Sequence, residues 1–175
     1  MPRETEAGAS MADTETNVKQ LLKDFAEKLP RFPDGRIDYS TSDRAPVLTC
    51  FVKFADKLLL LKRSDRVRTH RGKWNTVAGY IDEPKPIREK ALEELSEEIG
   101  VSEKDVRQFK MGRPYDFFDP DSKKTWLVHP MMVELKQRPK IKLDWEHTEF
   151  TWIFPKELAD YDTVPKLEES LKRVL

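Results

Sequence analysis

The chain has 175 residues, with 32 basic and 32 acidic side chains balancing to a formal net charge of zero. Hydrophobic residues make up 38% and charged residues 37%; the apolar ones fall in runs, so a folded domain with a modest core is expected rather than a disordered chain. With no global field, an anionic partner has to be met by a local patch, and nucleic acid is not an expected partner.

Residues 1–15 carry no apolar run and read as a disordered tail, leaving 16–175 as one domain. VKQLLKDFAEKL (18–29) has Leu21, Leu22, Phe25 and Leu29 at helical spacing, with Thr16 or Asn17 as its N-cap. Residues 31–46 hold two prolines, a glycine and several turn formers and read as a connection. VLTCFVKF (47–54) and LLLLKR (58–63), joined by ADK, read as a β-hairpin. The second strand is apolar on both faces, which suits a sheet covered on both sides. Cys50 is the only cysteine; it cannot form an internal disulfide and reads as a small buried hydrophobe in a reducing compartment. No stretch reaches membrane-spanning length and no secretory leader is evident, so a cytoplasmic location is expected.

SDRVRTHRGK (64–73) is a basic loop, followed by one strand over 74–82. Pro84 and Pro86 mark a loop and a helix start, and residues 87–99 form the strongest helix, with Ile87, Ala91, Leu95 and Ile99 as its apolar stripe and Gly100 as its stop. Residues 107–111, 115–119, 126–135 and 147–154 are strand-like. Pro155 opens a short helix, and VPKLEESLKRVL (164–175) closes the chain as an amphipathic helix. Trp74 and Trp152 are assigned to the core, Phe117 and Phe118 are divided between core and pocket, and His70, His129 and His147 lack metal-ligand spacing. Helices at the ends and middle with strands between imply an α/β fold with a mixed sheet covered on both faces.

Within the central helix, Glu94, Glu97 and Glu98 are spaced three and four apart and are expected on one face, opposite Ile87, Ala91 and Leu95. Like charges at that spacing cost a few tenths of a kcal/mol per pair, only partly relieved by Lys90. The cluster reads either as a solvated acidic face or as a site for a hard cation such as Mg²⁺.

Read from Gly79, the segment GYIDEPKPIREKALEELSEEIGV (79–101) resembles the signature of the Nudix hydrolase family: Gly, five residues, Glu, seven residues, then Arg-Glu-aliphatic-x-Glu-Glu-x-Gly-aliphatic. Gly79, Glu94, Leu95, Glu97, Glu98, Gly100 and Val101 fall in register, and the five fixed types among them coincide about once in 10⁶ registers by composition. Two positions depart. Lys85 stands where the signature has Glu, and Glu93 where it has Arg. These groups pair in the family, so the exchange reads as the same fastening with reversed signs, without the planar fork of Arg.

The resemblance implies a Nudix-type α/β/α sandwich and an Mg²⁺-dependent (or Mn²⁺-dependent) hydrolase that splits a pyrophosphate bond in a nucleoside diphosphate linked to another group. It further implies Glu94, Glu97, Glu98 and the carbonyl of Ala78 as metal ligands, with the three Glu as catalytic groups. Arg63, with Arg66 on the basic loop, is expected at the substrate, and Glu146 or Glu149 is a candidate general base. The partner is a small nucleotide, and many relatives are homodimers. A non-catalytic nucleotide sensor on the same fold is the alternative, kept open by the Lys85/Glu93 exchange. A prenyl diphosphate isomerase is disfavoured, because that chemistry typically needs a site cysteine and Cys50 sits in an apolar strand.

Overall fold

The computed structural model describes residues 19–24 and 27–175. The expected tail, the caps Thr16 and Asn17, and Val18, Phe25 and Ala26 of the first helix lie outside these residues. Residues 19–24 are helical, and Leu22 is buried.

Among the described residues, one mixed sheet holds eight strands: β1 (Arg44–Phe54), β2 (Lys57–Arg63), β3 (Trp74–Asn75), β4 (Val77–Tyr80), β5 (Val106–Met111), β6 (Tyr115–Asp119), β7 (Lys124–Leu135) and β8 (His147–Ile153). The main order is β3-β2-β1-β7-β5, with β4 beside β1, β6 beside β7 and β8 beside β2. β1 and β7 run parallel from Arg44 opposite Thr125 to Lys53 opposite Glu134; every other pairing is antiparallel. The expected β1–β2 hairpin forms, with Phe54 opposite Lys57.

Alternate side chains of the central strands enter two cores, as strand geometry requires. Cys50, Val52, Leu59, Leu61, Met131 and Val133 meet Ile87, Ala91, Leu95 and Ile99 of helix α1 (Ile87–Ile99) on one face. Phe51, Leu58, Leu60 and Met132 meet Leu158, Leu167 and Leu171 on the other. Leu158 comes from a 3-10 turn (Pro155–Asp160), and the two leucines from helix α2 (Leu167–Lys172). All four leucines of β2 are inaccessible to solvent, at about 1.5–3 kcal/mol of burial each. The two covered faces make the α/β/α sandwich.

The structure corrects several expectations. The strand over 74–82 is two, because the chain changes partner at Thr76, leaving β2 for β1. Asn75 Oδ1 accepts the Thr76 amide at 2.8 Å and Thr76 Oγ1 donates to the Cys50 carbonyl at 2.7 Å, so side chains replace the ladder there. The closing helix is only Leu167–Lys172, since Lys166 sits in the left-handed region at φ 65°. The connection over 31–46 is docked on the core: Ile37 and Tyr39 are buried, and Tyr39 Oη donates to the Ile81 carbonyl at 2.7 Å. Phe117 and Phe118 are both outside the core; Phe118 is 62% exposed and Phe117 faces a cleft.

Cys50 is fully buried, and that burial pushes its thiol far up from the ordinary value. No helix among the described residues is long and apolar enough to cross a membrane.

Candidate functional site

The sheet brings β4 against α1. Pro86 caps the start of the helix, and Gly100 ends it at φ 73°, its amide bonded back to the last turn. Gly79 of β4, opposite Leu48 of β1, faces Glu94. A Cβ built on Gly79 would lie 2.5 Å from both Cδ and Oε1 of Glu94. The absence of a side chain at this position is therefore what makes room for the Glu94 carboxylate.

The three glutamates do not stand opposite the apolar stripe. Glu98 is 2% exposed, Glu94 is half-buried and Glu97 is exposed. The reason is helical arithmetic. Glu94 and Glu98 come two turns after Ile87 and Ala91, and an i, i+7 step returns to nearly the same face. The acidic ridge therefore begins inside the apolar stripe and climbs out of it.

Placement there perturbs the acids. Burial, with Glu97, Glu146 and Asp82 nearby, pushes Glu94 up to about 7 against the opposing pull of Lys90. Burial, with Glu146, Glu94 and Asp144 nearby, raises Glu98 well above the usual carboxylate range, although the Ala78 amide hydrogen-bonds to it and pulls the other way. Its Oε2 is buried with no hydrogen-bond partner. A buried, unpartnered carboxylate oxygen among like charges is costly unless a proton or a cation neutralises it.

Ala78, Gly79, Glu94, Glu97 and Glu146 line a cleft of about 350 Å³ that also reaches Arg63. Arg63 is half-buried at the end of β2, with Nε donating to the Thr69 carbonyl at 3.0 Å. Burial holds it below the ordinary guanidinium value, while Glu146 and Glu98 pull it back up. Glu146 is fixed on the segment before β8 by its carbonyl, which accepts the Ser64 amide at 2.7 Å. Burial first, then Asp144, raises its carboxyl. Glu149 is elsewhere: it is on the exposed side of β8 in an ion pair with Lys62 at 3.1 Å, and it does not line the cleft.

Arg66 lines a second cleft of about 560 Å³ that shares Arg63, Tyr80, Trp126 and Glu146 with the first. Its guanidinium lies 5.7 Å from the centre of the Trp145 ring, which is 54% exposed. Arg66, Arg68 and Lys124, with Arg36 and Arg63 of the shared wall, outnumber Asp38, Asp82 and Glu146 there and make this second cleft basic.

The reversed pair is formed. Lys85 Nζ donates to Glu93 Oε1 at 2.5 Å and lies 3.3 Å from Glu83, which raises its ammonium above the ordinary value, Glu93 first among the causes.

Two pairings were not visible in the sequence. Asp82 and Lys90 form a buried ion pair at 3.1 Å, each side chain 7% exposed. His70 Nε2 pairs with Asp119 at 2.8 Å, tying the basic loop to the β6–β7 turn. Asp119 also accepts from Ser122. Burial alone would raise Asp119, but these bonds outweigh it and hold the carboxyl below its ordinary value.

The donor set of three carboxylates and the Ala78 carbonyl is all oxygen and suits a hard cation. The orphaned Glu98 Oε2 and the mutual repulsion of the acids fit that group. Among the described residues, no three His, Cys, Asp or Glu side chains converge as they stand on one metal-sized point.

Residues 43–174 match the NUDIX domain sequence family. No curated protein sequence matches the chain. Solved structures with a similar fold include the MutT protein of Methanosarcina mazei Go1, at 20% identity and a TM-score of 0.61, over 74% of this chain and 91% of that one. An Ap4A hydrolase binary complex from C. elegans is similar at 14% identity and a TM-score of 0.60, over 74% and 93%. The NUDIX domain of Shewanella oneidensis NrtR, complexed with ADP ribose, is similar at 14% and 0.61, over 74% and 86%. At these identities the likeness is one of fold.

Proposed function

We propose that this chain, a member of the NUDIX domain family, hydrolyses the pyrophosphate bond of a nucleoside diphosphate derivative in the cleft between β4 and α1, with Mg²⁺ or Mn²⁺. The observation that carries this reading is the buried, unpartnered oxygen of Glu98 beside Glu94 and the Ala78 backbone. Glu94, Glu97, Glu98 and the Ala78 carbonyl are the residues that would hold the ion. Such an ion, when bound, neutralises pyrophosphate charge and acidifies a coordinated water.

The chain's own residues do the rest. Gly79 leaves room for Glu94. Arg63, oriented by Thr69, presents a fixed donor fork to a phosphoryl oxygen. Glu146 is our candidate to accept a proton from the attacking water, supported by its raised carboxyl and its position on the cleft wall. The basic second cleft, with Arg66 and the exposed Trp145, takes the far end of the substrate: its further phosphates and an aromatic or sugar group. A substrate with a group on each side of the scissile anhydride fills both clefts better than a simple nucleoside diphosphate.

The test is a panel of nucleoside diphosphate derivatives with Mg²⁺. ADP ribose and Ap4A belong in it, because two structurally similar proteins are described with those compounds. Turnover of at least one compound that is lost in Glu98→Gln is expected. Tight binding with no turnover of any compound would instead make the chain a sensor.

A further inference from the structure

The signature places its cation immediately before the first of its own three helical glutamates, the position of Glu94 here, and this chain has Glu93 in that cation's place. The Lys85–Glu93 contact restores the fastening of loop to helix but not the charge. Lys85 spends its ammonium on Glu93 and Glu83, and the position next to Glu94 is an acid. Glu94 would then face Glu97, Glu146 and Asp82 with no cation supplied by the signature.

Lys90 fills that place. It is one turn upstream on α1 and 6% exposed, among the most buried charged groups in the molecule. Its Nζ is 3.1 Å from Asp82, 3.5 Å from Glu83, 3.8 Å from Glu93 Oε2 and 3.8 Å from Glu94 Oε1. Asp82 is its nearest counter-charge, an ion pair without a hydrogen bond at Oδ1; Lys90 donates its hydrogen bond to Glu83, and Arg36 lies 3.9 Å from the other oxygen of Asp82. Glu94 is thus confined on two sides, by the bare backbone of Gly79 and by the Lys90 ammonium.

We propose that Lys90, at a position the family signature leaves free, is the positioning residue that holds Glu94 in place, a task the reversed Lys85–Glu93 pair leaves undone. The inference rests on the reading of Glu94 as a metal ligand. It makes the box of this chain a rewired one, with loop fastening assigned to Lys85 and carboxylate alignment to Lys90, where the signature has a single arginine beside that glutamate.

The experiment titrates Mn²⁺ into the nucleotide-free protein, following free ion by electron paramagnetic resonance, with circular dichroism confirming the fold. Lys90→Met is expected to weaken Mn²⁺ binding at least about tenfold, as loss of an outer-shell partner does. Adding Lys85→Glu and Glu93→Arg to Lys90→Met, which puts an arginine beside Glu94, is expected to recover most of that loss. If Lys90→Met does not fold, Asp82→Asn with Lys90→Met removes the stranded buried acid and serves in its place. Unchanged affinity assigns Lys90 to stability alone, and tighter binding makes it only a repelling charge; either overturns the proposal, as does failure of the arginine to recover the loss. Wild-type protein that takes up no Mn²⁺ defeats the metal reading itself, a result distinct from equal binding by wild type and variant.

Discussion

Gly79→Ala separates the geometry of the site from the stability of the fold. The new methyl carbon would stand 2.5 Å from Glu94 Cδ and 2.9 Å from Cγ, about 1 Å inside ordinary carbon–carbon contact of about 3.5 Å. The obstacle is the far end of a flexible side chain, so Glu94 can swing away by giving up its 3.8 Å contact with Lys90, and Gly79 does not use a left-handed φ. Lost chain entropy of the glycine works in the variant's favour by about 0.4–1 kcal/mol. Net stability should therefore stay within about 1 kcal/mol of wild type in urea unfolding. The displaced carboxylate is another matter: a misplacement of about 1 Å can cost about 10²-fold in rate, and kcat/KM should fall by that order while KM moves little. Wild-type kcat/KM in a folded variant would refute the placement of Glu94. A loss of more than about 3 kcal/mol would show that the clash falls on the fold and not on the side chain.

Lys85→Glu should impair turnover by setting a third acid beside Glu83 and Glu93, and Lys85→Glu with Glu93→Arg should restore it; a double variant no better than the single one contradicts the pairing seen at 2.5 Å. Glu146→Gln should lower kcat and shift its acidic pH limb, whereas Glu149→Gln, paired with Lys62 outside the cleft, should leave both unchanged; the reverse pattern would exchange their roles. Burial holds the His129 imidazole below its ordinary value of 6.5, so it folds neutral. The stability it contributes is fully present above that value and is lost as pH falls through the lowered one. Urea unfolding at about pH 7.5 and about pH 5.5 should show a decline that His129→Gln lessens, and equal declines would count against it.

Much of the fold was legible because periodicity reports burial directly. The four leucines of β2 announce a strand covered on both faces, and they divide between the two cores. Pro86 and Gly100 bracket α1 through their own backbone chemistry. The candidate site was legible as a proposal through the spacing of Gly79 and the three glutamates, and the reversed Lys85–Glu93 charges told correctly of a contact. The burial of Lys90 against Asp82 was not legible. Each looks like any surface charge in a sequence that is 37% charged, and only the fold shows that they are buried together. Glu98 was misplaced because a carboxylate on an apolar stripe breaks the polarity pattern, although its seven-residue step from Ala91 carried the signal. The docking of residues 31–46 was hidden by their turn-rich composition, which says nothing about where Ile37 and Tyr39 point.

The central claim is that a divalent ion displaces protons from a buried carboxylate cluster. Calorimetric titration of Mn²⁺ at pH 7, in two buffers of different ionisation enthalpy, tests it most directly. With Glu94 pushed up to about 7, binding should release about half a proton from that group alone, with more from Glu98, because a ligating carboxylate must be ionised. The measured heat should therefore depend on the buffer, and Glu98→Gln should remove most of the binding. The account is contradicted if Mn²⁺ gives no binding heat with or without nucleotide, or binds with no proton release.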